Sequence, residues 1–215
     1  MTGKPYRLHE GGSRIDRNTR VTFSFDGRDI HGFTGDTLAS AVLASGQKVF
    51  GRSFKYHRPR GVVGLGSEEM NALIGVGADN RHEPNLRATQ IEIFDGLVAE
   101  SQNRWPSLNF DIGAINNKLS RFFPGGFYYK TFKWPRAFWK HVYEPVIRRA
   151  AGLGTAATGR DPDSYEHMHV HCDVIVVGGG LAGLLAAEAA ALSGARVVIA
   201  DENPELGGIA DLTAG

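Results

Sequence analysis

The sequence predicts an α+β domain followed by the opening of an α/β domain. Two patterns carry this expectation. An alternating apolar hairpin leads into a short helix near residues 19–46, and a strand, glycine turn, helix and second strand follow one another from residue 173. Between them lies a long aromatic stretch interrupted by prolines, which fits neither pattern.

Residues 19–35 read as a β-hairpin. Val21, Phe23 and Phe25 alternate with Thr22 and Ser24, and Asp26-Gly27 is a short-turn signal before a return strand through Ile30 and Phe33. Residues 36–46 read as a helix. Asp36 or Thr37 can cap it, Gly46 can close it, and Leu38, Ala41 and Val42 share one face. A hairpin followed by a helix that crosses its face begins a β-grasp fold. Residues 51–88 are glycine-rich and irregular, with short apolar pieces such as Ala72-Leu73-Ile74. Thr89–Phe94 is expected to be a further strand, turning at Asp95-Gly96 into Leu97-Val98-Ala99, so that the domain spans residues 1–103.

Residues 104–170 form the connector. Trp105, Phe110, Phe122, Phe123, Phe127, Tyr128, Tyr129, Phe132, Trp134, Phe138, Trp139 and Tyr143 crowd it, and Pro106, Pro124, Pro135 and Pro145 interrupt it. Residues 136–150 are expected to be helical, with Pro145 as kink or boundary. Rings in such number call for burial against something larger.

Asp173-Val174-Ile175-Val176-Val177 is a β-branched run, expected to be a parallel strand buried on both faces. Gly178-Gly179-Gly180-Leu181-Ala182-Gly183 follows, then an alanine-rich helix ended by Gly194, then Arg196–Ala200 and Asp201. The glycines of such a turn divide the work. Gly178 permits the tight turn, Gly180 the close approach of a pyrophosphate, and Gly183 the packing of helix on strand. The helix amides, Ala182 among them, face the phosphates. Asp201 lies about 20 positions after Gly178, where a carboxylate accepts from ribose hydroxyls and repels a 2′-phosphate. NAD or FAD is therefore favoured over NADP. Glu202, Asn203 and the glycine pair ending in Gly208 complete the expected dinucleotide site, in an α/β segment at 171–215.

Composition narrows the classes. A net charge of +1 gives no global field toward nucleic acid or an anionic membrane, and no apolar run is long enough for a span. The one cysteine, Cys172, excludes an internal disulfide and any cysteine-rich cluster, and agrees with a cytoplasmic setting. His167, His169 and His171 would share one face of an extended strand, a metal-binding arrangement, but a polar lead-in to the strand at 173 is the reading adopted. The basic run Lys55–Arg60 is read as a solvated loop or subunit contact; an arginine contact to a cofactor pyrophosphate stays open. No metal site and no catalytic residue are assigned.

The segments Arg52-Ser53-Phe54-Lys55-Tyr56-His57-Arg58-Pro59-Arg60-Gly61, Asn103-Arg104-Trp105-Pro106-Ser107, Gly126-Phe127-Tyr128-Tyr129-Lys130-Thr131-Phe132 and Ala150-Ala151-Gly152-Leu153-Gly154 are more distinctive than the glycine turn. With that turn they make the chain resemble the N-terminal part of the α subunit of heterotetrameric sarcosine oxidase. The resemblance implies an oxidoreductase subunit that works with β, γ and δ subunits and the remainder of α. It implies oxidation of sarcosine to glycine, with formaldehyde or 5,10-methylenetetrahydrofolate and hydrogen peroxide as products. It also implies NAD on α, FMN and FAD in the assembled complex, and tetrahydrofolate as co-substrate. The first domain then resembles a [2Fe–2S] ferredoxin, but Gly61–Ile74 lacks the cysteines of a C-x₄-C-x₂-C loop. Glu68, Glu69 and Asn71 are poor substitutes for thiolates, so the domain is expected to be a cluster-free scaffold. The chain is read as a fragment or split gene product, inactive when isolated. Alternatives are a subunit of a multisubunit proline, hydroxyproline or opine dehydrogenase, or of hydrogen cyanide synthase, and an assembly-only module.

Overall fold

In a computed structural model the described residues are 6–12, 14–122, 125–126, 132, 134–203 and 206–208. Phe123, Pro124, Phe127, Tyr128 and Tyr129 of the connector lie outside them, as do Lys130 and Thr131.

β1 (Asp16–Phe25) and β2 (Arg28–Thr34) form the expected hairpin, with Phe25 opposite Arg28. Asp26 and Gly27 both take positive φ, 52° and 72°. This is the mirror-image turn whose twist matches the strands. α1 (Leu38–Ala44) then crosses the hairpin and buries Leu38, Ala41 and Val42. Gly32 in β2 makes the approach possible: a Cβ there would lie 3.0 Å from the Ala41 Cβ and 2.4 Å from Ile93 Cδ1. Thr37 is the cap, its hydroxyl accepting from the Ser40 amide at 3.2 Å. Thr37→Ala is expected to lower stability by about 1 kcal/mol, measurable as a shift of the urea midpoint.

The remaining strands of the sheet are β5 (Leu73–Val76), β6 (Glu83–Arg87) and β7 (Val98–Ser101). The order is β2-β1-β7-β5-β6, with β1 and β7 parallel and the other pairs antiparallel. Short β3 (Gly51–Arg52) and β4 (Pro59–Arg60) pair with each other. Phe23, Phe25, Phe50, Ile74 and Leu97 fill the core between the sheet and α1.

The strand expected at Thr89–Phe94 does not form. Thr89 and Gln90 lie in a turn, and the segment gives its backbone to the helix entrance instead. The Leu38 amide donates to Ile91 O, and the Ile93 amide donates to Asp36 O. Alternating Ile91 and Ile93 made it look like a strand, but their partners are α1 and its entrance, whose first amides need acceptors.

The connector starts pinned to the first domain. Arg52 donates to the carbonyls of Leu108 and His57, and Leu108 is buried. The Asp111 carboxylate accepts from the Trp105 and Gly113 amides and meets His57 Nδ1 at 2.7 Å. The basic run is thus no free patch. His57 holds the connector, Arg58 donates to Asn117, Arg60 donates to Asn71, and Lys55 and Arg58 lie over the Tyr56 ring. α2 (Ile115–Lys118) is a single turn. The helix expected at 136–150 is a π-turn at Trp139–Tyr143 running into α3 (Glu144–Ala150), with Pro145 in its first turn. Further on, the Gly154 amide donates to Asn85, and Arg81 forms an ion pair with Asp163. Among the described residues of the connector, Trp105, Phe110, Phe122, Trp134 and Phe138 are exposed, so the expected burial calls for a surface other than these residues.

β8 (Val174–Val177), α4 (Leu181–Leu192) and β9 (Val197–Ala200) form the closing βαβ unit, with β8 and β9 parallel and in register. The expectation of a strand buried on both faces fails in this chain. Ile175 is 62% exposed and Val177 84%, because β8 and β9 have only each other among the described residues. No helix among the described residues is long and apolar enough to cross a membrane.

Candidate functional site

The candidate site is the turn between β8 and α4. The Gly178 amide donates to Ala200 O at the end of β9, and Gly178 takes φ 102°, which turns the chain out of the strand. A Cβ on Gly183 would sit 1.9 Å from Gly178 O, so the helix can lie on the turn only with glycine there. Gly180 begins the helix, and no atom lies within 4 Å of where its Cβ would be. The first α-helical bond runs from the Leu184 amide to Gly180 O. The amides of Leu181, Ala182 and Gly183 therefore open beyond Gly180, with the positive end of a twelve-residue helix behind them. An open backbone and free amides suit a diphosphate.

Asp201 is placed beside the turn and serves it. Its carboxylate accepts from the Gly179 amide at 2.5 Å and from the backbone and side-chain amides of Asn203 at 2.7 and 2.9 Å. The Gly179 amide, then Asn203, hold its carboxyl below the usual carboxylate range. It stays ionised at neutral pH, as a ribose acceptor must. Glu202 is exposed beside it.

The sequence assigns Gly179 and Gly207 no separate role, although they close the site. The Gly207 amide donates to Gly179 O at 2.8 Å, which brings Gly208 against Gly180, where its Cβ would meet the Gly180 Cα at 3.3 Å. A Cβ on Gly179 would strike Leu206 at 2.3 Å. Their only signal is position, as the middle glycine of three and the first of the later pair. Pro204 and Glu205 lie outside the described residues. His167, His169 and His171 lie in an exposed lead-in, and no group of three metal-ligating side chains occurs among the described residues.

A second polar centre lies in the first domain. Glu69 is buried at 1% exposure. One carboxylate oxygen accepts from the Val63 and Gly64 amides, both at 2.7 Å, and the other from Asn71 and Ala72 at 2.6 and 3.0 Å. By residue type Glu69 is only a poor substitute for a thiolate. The structure makes it the acceptor that folds its own loop.

A five-stranded mixed sheet crossed by one helix, followed by a parallel βαβ unit with a glycine turn, points to a composite class: a ferredoxin-like domain and the start of a Rossmann-like one. Residues 18–104 match a family described as a 2Fe-2S iron-sulfur cluster binding domain, and residues 173–214 match FAD dependent oxidoreductases. The particular resemblance is to sarcosine oxidase subunit alpha. The protein of that name from Rhizobium meliloti (strain 1021) is 57% identical over 94% of this chain and 20% of its own length. Those from Corynebacterium sp. strains U-96 and P-1 are 37% and 35% identical, over 95% and 91% of this chain and 17% and 16% of their own. The resemblance read from the sequence is borne out, and the chain spans a fifth or less of these relatives. The crystal structure of L-proline dehydrogenase from P. horikoshii aligns with 90% of this chain and 26% of that one at 20% identity, with a TM-score of 0.44.

The first family match implies an iron–sulfur cluster, and the donor set does not fit one. A [2Fe–2S] centre of the ferredoxin type takes four thiolates. The chain's one cysteine, Cys172, lies outside residues 18–104, and the amides of Gly64 and Ala72 are turned onto Glu69. The second match implies FAD, and the glycine turn fits the ADP half of such a ligand.

Proposed function

We propose that this chain is the N-terminal segment of a sarcosine oxidase α subunit. In this reading residues 1–103 are a scaffold, 104–170 an aromatic connector that docks on partner subunits, and 171–215 half of a dinucleotide site. The carrying observation is the open turn at Gly178–Gly183 with ionised Asp201 beside it, in a chain similar along most of its length to those α subunits. The site takes the ADP half of a dinucleotide: phosphates on the amides of Gly180, Ala182 and Gly183, and ribose at Asp201, with Glu202, Asn203 and Gly208 framing it. NAD is the ligand the resemblance favours; FAD is the second reading, favoured by the match to FAD dependent oxidoreductases.

The complete protein then demethylates sarcosine oxidatively in the cytoplasm. Its β, γ and δ subunits carry further parts of the reaction, with FMN, FAD and tetrahydrofolate in the assembly. Co-expression of the chain with the remainder of α and those subunits tests this. Sarcosine-dependent peroxide and one bound dinucleotide per α subunit are expected. Activity with proline and none with sarcosine would overturn the substrate assignment. Heat-released NAD or FAD identifies the ligand, and Asp201→Ala is expected to weaken its retention roughly tenfold, the size of one charged hydrogen bond.

A further inference from the structure

A ferredoxin-type loop spaces its first three thiolates as C-x₄-C-x₂-C. Gly64, Glu69 and Ala72 have that spacing in this chain. Glu69 stands at the middle position, and its carboxylate receives the amides of the other two, together with those of their neighbours Val63 and Asn71. The loop therefore converges on an anion, and the anion is a side chain. An anionic cluster attracts surrounding backbone amides by the same electrostatics.

We infer that the Glu69 carboxylate replaces an iron–sulfur cluster as the anion around which loop 61–74 folds, so that this module assembles without iron and carries no electrons. Four charged hydrogen bonds offset the desolvation of a buried carboxylate. The surroundings are built for it. Arg87 of β6 donates to the Glu69 carbonyl, and Thr89 donates to Gly66 O. Ala72 and Ala88, both fully buried, pack behind the loop and are joined by a hydrogen bond from the Ala88 amide to Ala72 O. Two charged side chains are bonded to the loop, Arg87 and Arg60 (the latter to Asn71), and Glu68 lies within it next to Glu69. Desolvation pushes the Glu69 carboxyl up, but the amides of Gly64, Asn71, Val63 and Ala72 together hold it below the usual glutamate value. A lowered carboxyl stabilises the fold fully above its unfolded value, about 4.3. That contribution is lost as pH falls through the folded value.

The test uses the full chain and Glu69→Gln, which keeps the shape and loses the charge. At neutral pH the variant is expected to exchange the amides of Val63, Gly64, Asn71 and Ala72 roughly tenfold faster or more. Its thermal midpoint should fall below that of the wild type, and the gap should close on acidification below the usual glutamate range. Protein made in iron-depleted medium should melt at the same temperature as protein made with iron. Unchanged exchange at the four amides, a gap that persists in acid, or stoichiometric iron and sulfide in the purified chain would each overturn the inference. If Glu69→Gln does not fold, the wild type decides alone. Its four amides should lose protection first as pH falls, and protection that outlasts the rest of the sheet would refute the role of the charge.

Discussion

Asp36→Ala is expected to cost about 3–5 kcal/mol of stability, because it leaves a charged partner unpaired in a largely buried site. Asp36 has no exposure. Its two oxygens take both Arg7 amino groups at 2.9 and 2.5 Å, and they also accept from the Phe33 amide at 2.9 Å and the Ser40 hydroxyl at 2.7 Å. The Asp36 carbonyl accepts from the Ile93 amide. One residue thus joins the N-terminal segment, β2, α1 and the segment before β7. Alanine removes every side-chain acceptor and leaves the Arg7 guanidinium, which is 17% exposed, without its carboxylate. Urea denaturation reads the effect. Removing the orphaned cation in an Arg7→Ala, Asp36→Ala double variant should return part of the loss. A single-variant change below about 1 kcal/mol, the range of an exposed ion pair, would show that the pair is not structural.

The second large effect separates two glycines of the turn after β8. Gly183→Ala drives a methyl to 1.9 Å from Gly178 O, a contact with backbone on an anchored turn. The helix must lift off the strand, at a cost of about 1–3 kcal/mol, and dinucleotide retention should be lost with it. Gly180→Ala meets nothing within 4 Å and has φ −70°, which alanine accepts. It should fold as well as the wild type and still lose ligand, because the methyl fills the space of the pyrophosphate. Thermal unfolding and bound nucleotide, measured together on the assembled protein, decide. Equal stability of the two variants would refute the packing role of Gly183, and undiminished ligand in Gly180→Ala would refute the site.

The parts of the fold that follow local rules were legible in the sequence. The Asp26-Gly27 turn, the capped α1 with its buried face, and the strand–turn–helix–strand order all rest on patterns of neighbouring residues. What escaped depends on distant partners. Ile91 and Ile93 alternate like a strand, yet nothing in that spacing shows that α1 needs their backbone. The exposure of Ile175 and Val177 follows from the lack of any strand beyond β9 beside them among the described residues, not from their own β-branched pattern. At the site, Gly178, Gly180, Gly183 and Asp201 stood out by spacing. Gly179 did not, since its reason lies in Leu206, Gly207 and Asp201 across the turn. The acceptor roles of Glu69, Asp36 and Asp111 were hidden for a related cause, Asp36 being singled out only as a candidate cap and Glu69 only as a poor substitute for a thiolate. A buried carboxylate surrounded by amides looks like any surface acid until the chain is folded around it.

The open pair β8 and β9 also bears on how the protein is made. Among the described residues no strand pairs with their outer edges, and their faces are rich in valine and isoleucine. Such edges invite pairing with other chains. The first domain closes its own core around Phe23, Phe50 and Ile74 and can fold as it leaves the ribosome. Among the described residues the βαβ unit has no such refuge. Its exposed strands are therefore the part of the chain most open to pairing with other chains while the protein is being made.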